Sequence, residues 1–222
     1  MHVIIDTKVP EVTAPASTGK MSALTDLYSE INHCQKCAIA KSRTKVVPGE
    51  GPENPEIMFI GEAPGFHEDQ QGRPFVGQAG LFLEKLLASI NLRRDQVYIG
   101  NVIKCRPPGN RDPLPSEIAA CRPWIERQIA LLRPKMIVTL GRYSMAMFFP
   151  DKTISKIHGT AQTKDGVIYF AMYHPAAALH QQSLRSAIEA DMRKIPALLP
   201  RSEEVKDPGP AARQLNIFED LK

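Results

Sequence analysis

Apolar positions along the chain alternate between two spacings. From Ser22 to Asn32, the residues Leu24, Leu27 and Ile31 recur at helical intervals, whereas Glu56-Ile57-Met58-Phe59-Ile60 is an apolar run halted by Gly61. The first pattern predicts a helix with one buried stripe, and the second a short strand buried on both faces. Helical spacing returns from Ala79 to Ile90, through Leu81, Phe82, Leu83, Leu86, Leu87 and Ile90. Val97 to Ile103 reads as a second strand. Pro115-Ser116-Glu117 reads as a helix start capped by Ser116, with the helix running to about Leu132. Lys135 to Leu140 is a third strand ended by Gly141, and Val167 to Met172 a fourth. A last helix spans about Ser183 to Leu199. Strands alternating with helices predict the α/β class, with a mainly parallel sheet of four strands covered on both faces.

The same pattern sets the boundaries. Residues 1–20, with Pro10, Pro15, Ser17 and Thr18 and little periodicity, read as a mobile arm. Residues 21–200 form one domain, and 201–222 a charged, proline-containing tail. There is no signal-peptide pattern at Met1–Asp6 and no stretch of about twenty apolar residues, so a soluble, cytoplasmic protein is expected; a nucleoid-associated monomer is the accompanying expectation. A net charge of +4, from 28 basic and 24 acidic residues, is mild. Any nucleic-acid contact is then a local stripe and not a uniformly basic surface.

In open parallel sheets chemistry gathers beyond the carboxyl ends of the strands. Three polar segments sit there: Gly61-Glu62-Ala63-Pro64-Gly65-Phe66-His67-Glu68-Asp69, then Asn101, then His174-Pro175. A carboxylate, an amide and an imidazole are thus expected along one rim. Each alone also has a plain structural reading, as a turn or a satisfied core group. Arg111 reads as solvated surface, and Ser155-Lys156-Ile157-His158-Gly159 as a phosphate-contacting loop.

The chain has four cysteines: the pair Cys34 and Cys37, then Cys105 and Cys121. Four thiols, two of them in a C-x-x-C pair, make one complete ligand set for a zinc ion or an iron–sulfur cluster. Cys105 and Cys121 are each followed by Arg-Pro, close to the proline that accompanies ferredoxin-type ligands. Two disulfides or four unrelated buried thiols are the alternatives, the disulfides disfavoured in a reducing compartment.

Taken together, Gly61–Asp69, Gly72-Arg73-Pro74-Phe75-Val76-Gly77, Asn101-Val102-Ile103-Lys104-Cys105-Arg106-Pro107-Pro108 and His174-Pro175 resemble the family 4 uracil-DNA glycosylases over roughly residues 30–200. The resemblance implies a three-layer sandwich about a four-stranded, mainly parallel sheet. It also implies a structural [4Fe–4S] cluster on Cys34, Cys37, Cys105 and Cys121. The implied activity is monofunctional: uracil-containing DNA, single- or double-stranded, is bound, deoxyuridine is flipped out and its base hydrolysed away. Glu62 and His174 are the implied catalytic residues, and Glu62, Phe75, Asn101 and His174 the uracil-binding set. Because Ala63 stands where related hydrolases carry aspartate, Glu62, Glu68 and Asp69 are the candidates for water activation. Leu179 is the candidate wedge into the duplex. Pro107 to Asp112 contains no histidine, which disfavours a covalent mechanism. A cluster-bearing DNA-binding protein with a decayed pocket and a zinc-stabilised nucleotide-binding module are the rivals. In the tail, Gln214-Leu215-Asn216-Ile217-Phe218 resembles the bacterial sliding-clamp binding peptide, with Gln214, Leu215, Ile217 and Phe218 as its contacts.

Overall fold

A computed structural model describes residues 17–199. Four strands lie parallel: β1 (Ile57–Gly61), β2 (Tyr98–Asn101), β3 (Met136–Leu140) and β5 (Val167–Met172). A fifth, β4 (Ala161–Lys164), lies antiparallel on the edge beside β5, giving the order β2-β1-β3-β5-β4. The four parallel strands are those expected, and β4 corrects the count to five. Its side chains are all exposed, so no hydrophobic pattern announces it. Asp165 and Gly166 both take positive φ, as a two-residue hairpin turn demands, and an Asp-Gly pair before Val167 is the signal that was there to be read.

All residues of β1, β2 and β3 are buried, as expected for strands covered on both faces. The period of two divides them between two cores. Ile57, Phe59, Val138 and Phe170 pack with Phe82, Leu83 and Leu86 of α3 (Gln78–Ala88), Ile188 and Met192 of α8 (Leu184–Met192) and Ile195 of α9 (Ile195–Leu198). Met58, Ile60, Tyr98 and Ile137 face the other way, onto Leu24, Leu27 and Ile31 of α1 (Ser17–Asn32) and Trp124 and Ile125 of α4 (Pro115–Leu132). The result is a three-layer sandwich. The remaining helices are short: α2 (Phe66–Gln71), α5 (Arg142–Ala146), α6 (Ile154–Ile157) and α7 (Ala177–His180).

Three boundaries differ from expectation. Helix α1 begins at Ser17, inside the segment read as an arm. The last helix is broken in two after Met192. Helix α4 starts at Pro115, with Leu114 in the capping position, and not at a Ser116 cap. The Leu114 N–H donates 2.8 Å to the Glu117 carboxylate, so the side chain that satisfies this helix end comes from its third residue. The tail peptide Gln214–Phe218 lies outside the described residues. Among the described residues, no helix is long and apolar enough to cross a membrane.

Candidate active site

The ends of β1, β2 and β5 meet along one rim above a cleft of about 510 Å³. Glu62, Phe75, Asn101, His174 and Leu179 all line it. Register brings the first two strands together: Gly61 stands opposite Asn101 in the parallel ladder. A Cβ on Gly61 would come within 2.3 Å of Asn101 Oδ1 and 2.7 Å of Phe75 Cζ, so glycine is what lets amide and ring meet over the strand end.

Asn101 is 2% exposed, and its Oδ1 is a buried acceptor with no hydrogen-bond partner. Buried polar atoms are rarely left unmade, because each costs about 1–3 kcal/mol. An orphaned amide oxygen in a cleft is therefore set for a donor on a ligand.

His174 lies at the end of β5, stacked on Phe75 with ring centroids 5.5 Å apart. Its Nδ1 accepts the Ala176 N–H at 3.1 Å, which leaves the proton of the neutral ring on Nε2. Burial pushes its pKa down from 6.5 to about 4, so the ring is neutral at pH 7. The structure thus supplies the protonation state, which the sequence does not set. Gly141, at the end of β3, has φ 90°, and a Cβ there would lie 3.1 Å from His174 Cβ.

Phe75 is core and cleft wall at once, at 4% exposure. It takes φ 52°, unusual for an aromatic residue. Arg94 grips this turn, donating to the Pro74 carbonyl and, at 3.0 Å, to that of Phe75. Gly80 leaves room for it, since a Cβ there would fall 1.8 Å from the Phe75 carbonyl oxygen.

The three candidate carboxylates separate clearly. Glu62 makes no hydrogen bond through its carboxylate among the described residues. Its pKa is pushed up from 4.5 to about 6, by burial first and by the Asp112 charge second, against the opposing pull of Arg142. Glu68 lines the cleft but is engaged, accepting the Gly65 N–H at 3.1 Å and the Gly77 N–H at 3.3 Å. Asp69 is buried away from the cleft and accepts the Thr44 N–H at 2.9 Å. Glu68 and Asp69 hold loops together, which leaves Glu62 as the one of the three carboxylates not engaged by backbone N–H groups.

The sequence reading passed over the end of β3. Arg142 there pairs with Asp112, and both charges act on Glu62. The rule that pointed to the other strand ends applied equally to Gly141-Arg142. Arg111 is exposed, as a surface reading expects, and it also lines the cleft mouth and grips Glu117 through two hydrogen bonds of 2.7 and 2.9 Å. His158 has an internal partner. Its Nδ1 bonds Asp191 at 2.7 Å, and a Cβ on Gly159 would lie 2.0 Å from Asp191 Oδ1. That glycine serves an internal anchor between α6 and α8. Leu179 is 52% exposed at the cleft mouth, where the exposed Phe66 also stands.

On the α1–α4 side, Cys34, Cys37, Cys105 and Cys121 line one small cavity walled by Ile31, Ile103 and Trp124. All four are free thiols, so neither disulfide forms. Arg43 Nη1 donates 3.3 Å to Cys105 Sγ, and the Lys104 N–H donates 3.3 Å to Cys121 Sγ. Burial pushes the Cys121 thiol up to about 11 and raises Cys105 too. N–H donors aimed at buried sulfur suit thiolates bound to metal, where the charge is neutralised. Among the described residues no three His, Cys, Asp or Glu side chains stand close enough to grip a single ion. Four thiols around one cavity are the residues available to hold a metal centre.

A family model described as the Uracil DNA glycosylase superfamily matches residues 48–195. The chain is 47% identical over 185 residues to the type-4 uracil-DNA glycosylase of Sulfurisphaera tokodaii, covering 79% of this chain and 84% of that protein. It is 46% identical to the Archaeoglobus fulgidus type-4 enzyme over 79% of this chain and 92% of the relative. For the Thermotoga maritima type-4 enzyme the identity is 41%, over 77% and 92%. With a matching fold, a polar cleft at the strand ends and gathered cysteines, the chain belongs to the uracil-DNA glycosylase superfamily and, within it, to the type-4 uracil-DNA glycosylases.

Proposed function

We propose that the protein excises uracil from DNA by hydrolysing the bond between uracil N1 and deoxyribose C1′, leaving an abasic site. The observation that carries this reading is the buried, unpartnered Asn101 Oδ1 beside a neutral His174. Uracil presents a donor at N3 and an acceptor at O4, so Asn101 accepts from N3–H and donates from its NH₂ to O4. Cytosine presents the reverse pattern at both atoms and would leave that amide mismatched. Phe75 supplies the stacking surface for the flipped base.

As the C1′–N1 bond breaks, its electron pair goes to uracil and negative charge grows on the carbonyl oxygens. His174 donates Nε2–H to O2 and stabilises that charge, a preorganised contact of the oxyanion-hole kind. Glu62, with a pKa near 6, orients and deprotonates the water whose oxygen bonds to C1′. Leu179 enters the gap left by the flipped nucleotide, where its exposure at the cleft mouth supports a wedge role.

Cys34, Cys37, Cys105 and Cys121 would hold a [4Fe–4S] cluster. Bound there, it supplies a structural tie between the α1 segment and the loop after Asn101, and no electrons to the cleavage. The donor set and the two N–H···S contacts support this assignment.

The test is release of uracil from a uracil-containing oligonucleotide by wild type, Asn101→Ala, Asn101→Asp and His174→Ala. Wild type releases uracil, Asn101→Ala and His174→Ala lose most of the rate, and Asn101→Asp acts on cytosine. No release by wild type refutes the enzyme reading. Full activity in Asn101→Ala removes the base-reading role. Leu179→Ala weakens action on duplex DNA and spares single strands; equal loss on both would remove the wedge.

We also propose that Gln214, Leu215, Ile217 and Phe218 tether the enzyme to a bacterial-type sliding clamp, raising its local concentration at replicating DNA. A peptide covering Arg213 to Lys222 binds such a clamp, and Gln214→Ala and Phe218→Ala each weaken it; equal binding by wild type and both variants would remove the proposal.

A further inference from the structure

Lys104 belongs neither to the cleft nor to the cysteine set, yet it contacts both. It is 1% exposed, a rare state for a lysine. Its ammonium donates to the Asn101 carbonyl at 2.8 Å and to Gln128 Oε1 at 2.6 Å. Its backbone N–H is the donor to Cys121 Sγ. Gln128 is fixed in turn, donating from Nε2 to the Tyr98 hydroxyl and to the Pro48 carbonyl, both at 2.8 Å. The Tyr98 hydroxyl shares a 2.8 Å hydrogen bond with that of Tyr28 on α1. The lysine is thus the inner end of a polar chain crossing the α1–α4 layer.

Burying an ammonium is costly, and here it meets two neutral oxygens and no carboxylate. The buried ammonium therefore calls for an account beyond packing. Asn101 provides it. Its Oδ1 accepts no hydrogen bond, so nothing in the protein steers that oxygen directly. The placement of the amide follows from its backbone, and β2 ends at this residue. Beyond it, the N–H groups of Val102 and Ile103 donate to the Gly61 and Glu62 carbonyls, at 3.1 and 2.9 Å. The Lys104 ammonium takes the carbonyl of Asn101 itself.

We propose that Lys104 is a positioning residue for base recognition: by holding the Asn101 carbonyl while its own N–H holds Cys121, it fixes the amide that reads uracil and ties it to the cysteine centre. This rests on the uracil-reading role of Asn101. It places the coupling between the two sites in one residue. Damage to the cysteine centre then reaches the cleft as a displaced amide before the sheet is lost.

A double-mutant cycle tests it. Single-turnover uracil release is measured for wild type, Lys104→Met, Asn101→Ala and the double variant, with iron content, far-UV circular dichroism and affinity for uracil-free DNA recorded for each. Lys104→Met slows release about 10²-fold, the loss that a misplacement near 1 Å brings. It keeps iron, helicity and DNA affinity, and adds little once Asn101 is alanine. Additive losses, or a wild-type rate in Lys104→Met, overturn the proposal; so does loss of iron from that variant, which would put the role of the lysine at the cysteines. Should Lys104→Met not fold, Gln128→Leu keeps the lysine but strips one acceptor. It shows the same non-additivity with Asn101→Ala, and additive losses there overturn the proposal equally. An inactive wild type would remove the reading of Asn101 itself, whereas an active wild type with additive variants removes only Lys104.

Discussion

The cleft and the cysteine centre sit on either side of the strand that carries Asn101, and they treat polar groups in opposite ways. Around the cysteines, most donors and acceptors are matched: Arg43 and the Lys104 N–H on sulfur, the Lys104 ammonium on two oxygens, Gln128 on a carbonyl and a hydroxyl, with the Trp124 ring N–H the unpaired exception on the cavity wall. In the cleft, the Asn101 amide oxygen is orphaned, and Glu62 carries a carboxyl whose charge its surroundings disfavour. A matched network makes a rigid frame, whereas an unmatched set stores interactions that only a ligand completes. Position in the sheet does not separate the two, because both adjoin the end of β2. What separates them is whether the protein or the substrate supplies the partner.

Breaking the frame should have the largest effect. Cys121→Ser removes the thiolate proposed to hold the cluster, and structural metal centres contribute on the order of 10 kcal/mol in small metal-dependent domains. Loss of iron, of soluble yield and of uracil release is expected together, followed by absorbance near 400 nm, iron analysis and thermal melting. A variant that lost iron yet melted like wild type would erase the distinction between frame and cleft.

Removing a cleft group should leave the fold standing. His174→Ala lowers the rate of uracil release about 10²–10³-fold, the usual loss for one preorganised donor to a developing anion. Its melting temperature and affinity for uracil-free DNA stay close to wild type, and a large fall in either would class His174 with the frame.

Asp69→Ala gives the intermediate case. It strands the Thr44 N–H and loses about 1–3 kcal/mol of stability, measured by urea denaturation. Turnover per folded molecule holds, because this carboxylate lies away from the cleft. A rate loss beyond a few-fold would return Asp69 to the list of bases.

The smallest effect carries the sharpest sign. A carboxyl whose pKa rises from 4.5 to about 6 on folding holds its proton more tightly in the folded state. Its stabilising contribution is present at low pH and is lost as pH rises through that window. Glu62→Gln should therefore gain about 1 kcal/mol at pH 8, one pKa unit being worth 1.36 kcal/mol and partial exposure screening part of the shift. At pH 4 it should gain nothing. Uracil release by wild type should rise with pH through about 6, and the variant should be slow and flat. A variant less stable than wild type at pH 8 would show that Glu62 belongs to the matched network.

Sequence alone determined the parallel strands, the rim on which Glu62, Asn101 and His174 converge, and the gathering of four cysteines. Each depends on a local period or on strand order, and both are written along the chain. Strand β4 escaped because a fully exposed edge strand carries no hydrophobic pattern, leaving only its Asp-Gly turn as a mark. The roles of Glu68 and Asp69 were not legible, because a carboxylate becomes a loop anchor or a base according to which N–H groups folding brings to it. Tertiary structure alone decided the neutral tautomer of His174, set by one backbone N–H and by burial. It alone turned Lys104, read as one more residue of a motif, into a buried cation between two sites. Those outcomes depend on distances between segments far apart in sequence, and such distances come into being only when the sheet closes and the layers pack.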